Sequence, residues 1–142
     1  MIGTLRAAVL AGALLATGDA MAETEITILD LPTAFFHRWI DGLARGQKDL
    51  PVTVKKLIVG GEVLHAAAVR QWNELPGSER VSIFNSYGPA EATVVVTYEK
   101  IEAANERISV GKVVSNTSSY AIGRRGRIRP VGLDGEVYLC GE

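Results

Sequence analysis

Three short apolar runs rich in β-branched residues, separated by segments of helical periodicity, most constrain what this chain can fold into. The runs are Ile26-Thr27-Ile28-Leu29, Leu57-Ile58-Val59 and Val81-Ser82-Ile83-Phe84. Between the first two, Phe36, Ile40 and Leu43 recur at steps of three and four, which predicts a helix over Thr33 to Arg45. Pro32 suits the first helical turn and Gly46 the stop. Between the second and third, Val69, Trp72 and Leu75 share one face of a helix over His65 to Leu75, which Pro76-Gly77 ends. Strand, helix and strand at this spacing predict βαβ units and a parallel sheet, an α/β fold. Evenly apolar strands further predict a sheet covered on both faces.

After Gly88-Pro89 the pattern changes. Thr93 to Tyr98 is β-rich, and Glu99 to Arg107 is polar and predicts a loop. Short strands follow at Ile108 to Val110, Thr117 to Ile122 and Glu136 to Cys140, with a turn at Gly123 to Gly126. Such spacing predicts the start of an antiparallel β portion. The expected division is therefore residues 1–100 as an α/β part and 101–142 as a β-rich part. The last strand runs to within two residues of the end, and three covered strands need more helices than these. A partial parallel sheet, one slice of a larger domain, is the expectation.

Composition narrows the function classes. Fifteen Lys and Arg against 16 Asp and Glu give a net charge of −1, with 47% hydrophobic residues. That is too apolar for intrinsic disorder and too balanced for a nucleic-acid coat. A single cysteine, Cys140, excludes an intramolecular disulfide and a Cys-rich zinc site. The N-terminus has two readings. Arg6, the run Ala7 to Ala16, and Ala20-Met21-Ala22 before Glu23 have the layout of a secretory signal. A buried strand over Leu5 to Leu10 and a helix from Ala13 to Glu23 fit equally. The apolar run is too short to span a membrane, which takes about 20 residues.

Asn85-Ser86-Tyr87-Gly88-Pro89-Ala90-Glu91 follows the third run directly, Gly60-Gly61-Glu62 follows the second, and Asp30-Leu31-Pro32 the first. Loops at the carboxyl ends of parallel strands are where open α/β sheets bind ligands, and all three would converge on one edge. Gly-Pro and Gly-Gly also serve as plain turns.

NSYGPAE resembles the N-x-Y-G-P-T-E motif of adenylate-forming enzymes, above all the adenylation domains of nonribosomal peptide synthetases. ITILDLPTAFFHRWIDGL, LIVGGEVL, SVGKVVSNTSSYAI and RRGRIRPVGLDGEVYLCGE resemble the family's neighbouring segments, in order, from about Glu25 to Glu142. The resemblance implies activation of a carboxylic acid by ATP: the acid attacks the α-phosphate, pyrophosphate leaves, and an acyl-adenylate forms. It implies that Tyr87 stacks on adenine, that Asn85 and the backbone from Gly60 and Gly61 meet the base edge, and that Gly88 lets the backbone approach the nucleotide. Ser86 and Ala90 complete that lining, and Glu91 holds Mg²⁺ as the catalytic and metal-binding acid. The alternatives are a core aromatic for Tyr87, a turn amide for Asn85 and a solvated acid for Glu91. Ala90 stands where the family usually has Thr, whose hydroxyl contacts phosphate.

The same resemblance places the acyl pocket at Asp30, Ile58, Gly60, Ser86, Val94 and Val95. Asp30 is the one charged group among them, which points to a polar or amine-bearing acid. The family's phosphate loop with its lysine, its ribose-binding aspartate and its C-terminal lysine have no match here. The expectation is an inactive fragment of an amino- or other acyl-adenylating ligase, cytoplasmic, working with the remainder of its adenylation domain. A carrier-protein domain bearing phosphopantetheine is a possible acceptor, and neither nucleic acid nor a membrane is an expected partner. The other hypothesis is a non-catalytic nucleotide-binding remnant, or a small exported α/β interaction domain if residues 1–22 are a signal. Arg124, Arg125, Arg127 and Arg129 read as a solvated turn, His37 and His65 as free of metal, and Cys140 as a small core residue.

Overall fold

The computed structural model describes residues 7–9, 26–46, 49–92 and 95–141. A six-stranded sheet is built in the order β1 (Ala7–Val9), β2 (Ile28–Pro32), β3 (Lys56–Gly60), β4 (Ser82–Tyr87), β5 (Thr97–Lys100) and β6 (Lys112–Val113). The first four strands pair in parallel; β5 and β6 are antiparallel. A separate antiparallel ribbon joins β7 (Thr117–Ile122) to β8 (Glu136–Gly141). Helix α1 (Thr33–Ala44) connects β2 to β3, and α2 (Ala66–Glu74) connects β3 to β4. The parallel βαβ units and the turn to antiparallel pairing are those expected from the sequence.

Both helices form where the periodicity places them, α1 one residue shorter at its C-terminal end and α2 one residue shorter at each end. Pro32 is the N-cap of α1 rather than a first-turn residue, since its extended backbone (ψ 140°) still belongs to β2. Gly46, at φ +67°, closes the helix by donating to the Leu43 carbonyl at 2.9 Å. Strand ends depart further from expectation. Strand β2 begins at Ile28, level with Lys56 at the start of β3; Ile26 lies before the ladder yet is buried. Asp30-Leu31-Pro32 and Asn85-Ser86-Tyr87, expected in loops, are strand residues paired to their neighbours. Ile108 to Val110 is not a strand; the pairing residues are Lys112 and Val113. The helix expected from Ala13 to Glu23 lies outside the described residues, whereas Ala7–Val9 does pair as a strand.

Leu29, Leu31, Leu57, Val59 and Ile83 project from one sheet face into a single core with Phe36, Ile40, Val69 and Trp72 of the helices. Consecutive strands step in one direction across the sheet, and right-handed crossovers then set both helices on the same face. The opposite face carries Ile28, Asp30, Ile58 and Phe84, all half-buried, so among the described residues helices cover one face and not two. Cys140 is exposed rather than in the core, because the β7–β8 ribbon has no third strand or covering helix among the described residues.

Aromatic packing joins the helices. The Trp72 ring lies 5.9 Å from Phe36 and 6.1 Å from Trp39, tilted against both. Trp72→Ala is expected to cost about 3–5 kcal/mol of stability, read as a lowered urea midpoint. A midpoint unchanged from wild type would contradict this placement of the core.

Candidate functional site at the carboxyl ends of the parallel strands

The parallel register sets Pro32 beside Gly60 and Gly60 beside Ser86, so β2, β3 and β4 end level. Gly60 is needed there. A Cβ at this position would collide with Ser86 Oγ and lie 2.8 Å from the Ser86 carbonyl oxygen. Gly61 follows at φ +92°, a conformation glycine adopts freely. Thr33, fully buried at the start of α1, donates its hydroxyl toward two carbonyls of this turn, Gly60 at 3.0 Å and Glu62 at 3.2 Å. The helix start and the Gly60–Glu62 turn are thereby tied together.

On β4 the motif residues take different environments. Asn85 is 3% exposed and its Nδ2 donates to the Ser109 carbonyl at 2.8 Å, in the segment joining β5 to β6. Ser86 is buried, its hydroxyl directed at the Val59 carbonyl at 3.4 Å. Tyr87 ends the strand 44% exposed, its carbonyl accepting from Val96 N–H at 2.8 Å. Gly88 and Pro89 lead into a 3₁₀ turn over Ala90–Ala92, closed by Ala92 N–H on the Pro89 carbonyl at 3.0 Å. Ala90 and Glu91 are exposed on that turn. The arrangement offers an exposed tyrosine, an exposed carboxylate and the glycine turn of the neighbouring strand at one sheet edge.

Asp30, Ile58, Gly60 and Ser86 share the sheet face that bears no helix, by register and strand alternation. Val95 is half-buried just past the 3₁₀ turn, and Val94 lies outside the described residues. Phe84 and Tyr98 stack on this face at 4.6 Å and 14°, and Lys56 Nζ sits 5.0 Å from the Phe84 ring centroid. Burial pushes the Asp30 carboxyl above its ordinary value. Burial, and after it the charge of Asp30, pushes Tyr98 up as well. The sequence reading assigned no role to Thr33, Tyr98 or Ser109. Both Thr33 and Ser109 owe their places to long-range contacts, Thr33 with the turn 27 residues on and Ser109 with Asn85, 24 residues away.

The other singled-out groups lie apart. Arg124, Arg125, Arg127 and Arg129 are exposed around the ribbon's turn, and Arg129 Nε donates to the Asp134 carbonyl at 3.1 Å. His37 and His65 stack at 5.9 Å, and among the described residues no three His, Cys, Asp or Glu side chains are grouped to hold a metal.

Residues 7–142 match the AMP-binding enzyme family, and the chain belongs to it. The chain is 32% identical over 127 residues to isonitrile lipopeptide synthase of Streptomyces coeruleorubidus, covering 87% of this chain and 8% of that protein. It is 33% identical over 120 residues to surfactin synthase subunit 1 of Bacillus subtilis strain 168, covering 82% and 3% respectively. The chain thus spans less than a tenth of either relative. Among solved structures, PA1221, a nonribosomal peptide synthetase protein containing adenylation and PCP domains, superimposes with a TM-score of 0.73 at 19% identity. That match covers 87% of this chain and 26% of the other. The N-terminal subdomain of Klebsiella oxytoca NpsA, in complex with 3-hydroxybenzoyl-AMSN, gives 0.74 at 17% identity over 92% and 31%. Both likenesses show the fold.

The half-buried Asp30 gives a pH test. A carboxyl raised in the folded state binds its proton more tightly there than in the unfolded chain. Its ionisation therefore removes stability as pH rises from the ordinary value of 3.8 through the raised one. Asp30→Asn should be more stable than wild type at neutral pH, with the difference fading in acid, and should bring the Tyr98 titration down, seen by tyrosinate absorbance. Lower stability at neutral pH would show that the ionised carboxylate is favourably held.

Proposed function

We propose that this chain forms part of the nucleotide- and acid-binding region of a ligase that activates an amino or other carboxylic acid as its acyl-adenylate, in nonribosomal peptide synthesis. The observation that carries the reading is the placement of NSYGPAE at the carboxyl end of β4, level with the Gly60-Gly61 turn. The relatives that are named synthases of lipopeptide and surfactin, and a structural neighbour with adenylation and PCP domains, support it. In this reading the exposed Tyr87 ring stacks on adenine, with Asn85 and the Gly60–Glu62 backbone at the base edge.

The acid's side chain lies on the helix-free sheet face, among Asp30, Ile58, Gly60 and Ser86, with Val95 following the 3₁₀ turn and Val94, outside the described residues, assigned to the pocket by the family resemblance alone. Glu91 fits a Mg²⁺ ion: its carboxylate side chain is exposed, and Mg²⁺ is commonly held by one or two carboxylates plus substrate phosphates. When bound, that ion would neutralise phosphate charge as pyrophosphate leaves. The remainder of the adenylation domain would supply the phosphate loop, the ribose-binding aspartate and the C-terminal lysine. The acceptor would be a carrier domain bearing phosphopantetheine, and the setting the cytoplasm, where ATP is available.

These 142 residues alone should bind ATP weakly and show background ATP–pyrophosphate exchange; robust exchange by the chain itself would contradict the reading. Ala90→Thr restores a hydroxyl at the phosphate-facing turn and should tighten ATP binding by roughly three- to tenfold, measured by calorimetry. A loss of affinity would show that this turn does not face phosphate.

A further inference from the structure

We infer that Ser109, in the segment between β5 and β6, is a positioning residue: it fixes the orientation of the Asn85 amide so that the base site reads adenine over guanine. The inference rests on the nucleotide site proposed above. A backbone carbonyl only accepts hydrogen bonds, so the Ser109 oxygen 2.8 Å away requires the NH₂ side of Asn85 to face it. The amide oxygen is then turned the other way.

The segment holding Ser109 is itself fixed. Ser109 Oγ accepts the Gly111 N–H at 2.9 Å. Gly111, at φ +83°, lies so close to β5 that a Cβ would collide with the Tyr98 carbonyl. β5 in turn pairs with β4, setting Asn85 opposite Glu99 and Ser86 opposite Tyr98. The amide is thus locked into the sheet from both its backbone and its side chain.

Adenine carries an exocyclic amine at the edge where guanine carries a carbonyl. An outward amide oxygen accepts a hydrogen bond from the first and opposes lone pairs of the second. A freely rotating amide would serve either base, by turning its NH₂ to guanine. The orientation, and not merely the presence of Asn85, therefore sets the preference.

Ser109 is exposed, so its truncation leaves the core intact. Ser109→Ala removes the acceptor of Gly111 N–H and frees the segment, while Ser109→Thr keeps a hydroxyl. Two readouts are compared across the three proteins. In the absence of nucleotide, the Asn85 side-chain NH₂ should exchange slowly with solvent in wild type and S109T and faster in S109A, by NMR. Titration with mant-ATP and mant-GTP should give a preference for ATP of about tenfold or more in wild type and S109T, falling about fivefold in S109A.

Unchanged preference in S109A despite a released amide would overturn the inference while leaving the nucleotide site standing. An amide equally protected in all three proteins would overturn Ser109 as the positioning residue. Binding of neither nucleotide by wild type, with Asn85 protected, would overturn the site reading and the inference together.

Discussion

The lateral register of three parallel strands, which sets Pro32, Gly60 and Ser86 side by side, is the constraint on which the rest of the structure depends. It is enforced at one point by the absence of a side chain. Ser86 occupies the space a Cβ on Gly60 would need, so β3 and β4 can close together only with glycine there. Once the ends are level, the Gly60–Glu62 turn, the Tyr87 ring and the Ala90–Ala92 turn must share one edge of the sheet. Thr33 completes the alignment by bonding from α1 to the carbonyls of Gly60 and Glu62.

Consecutive strands advancing one way put both helices on one face, which gathers the apolar core there. The other face is left to a mixed set: Asp30, Lys56, Ile58, Phe84 and Tyr98. Its carboxylate is partly desolvated and its aromatic rings Phe84 and Tyr98 stack. In the reading proposed above, that division separates a structural face from the one that receives the acid.

How much of this was legible in the sequence varies with the range of the interaction responsible. Helix α1 and helix α2 were legible because Phe36, Ile40 and Leu43, and Val69, Trp72 and Leu75, repeat with the period of the helix they form. The ribbon strand Thr117–Ile122 was found to the residue, bounded as it is by local turn residues. Strand ends were not legible, since a ladder extends as far as its partner allows. Asn85-Ser86-Tyr87 is locally polar and has the composition of a loop, yet β3 on one side and β5 on the other hold it extended. Ile108 and Val110 have strand-forming side chains, but Gly111 against Tyr98 dictates where pairing resumes. Within the candidate site the motif residues were visible, and the contacts that fix their poses were not.

Those poses make a joint claim: one edge, built from two strand ends, receives the nucleotide. Amide chemical-shift mapping of the ¹⁵N-labelled chain with Mg²⁺ and ATP tests it most directly. The account predicts shifts confined to Gly60–Glu62 and Asn85–Glu91, with the outer faces of α1 and α2 silent. Shifts centred on the Arg124–Arg129 turn, or spread evenly with that edge unmoved, would contradict it.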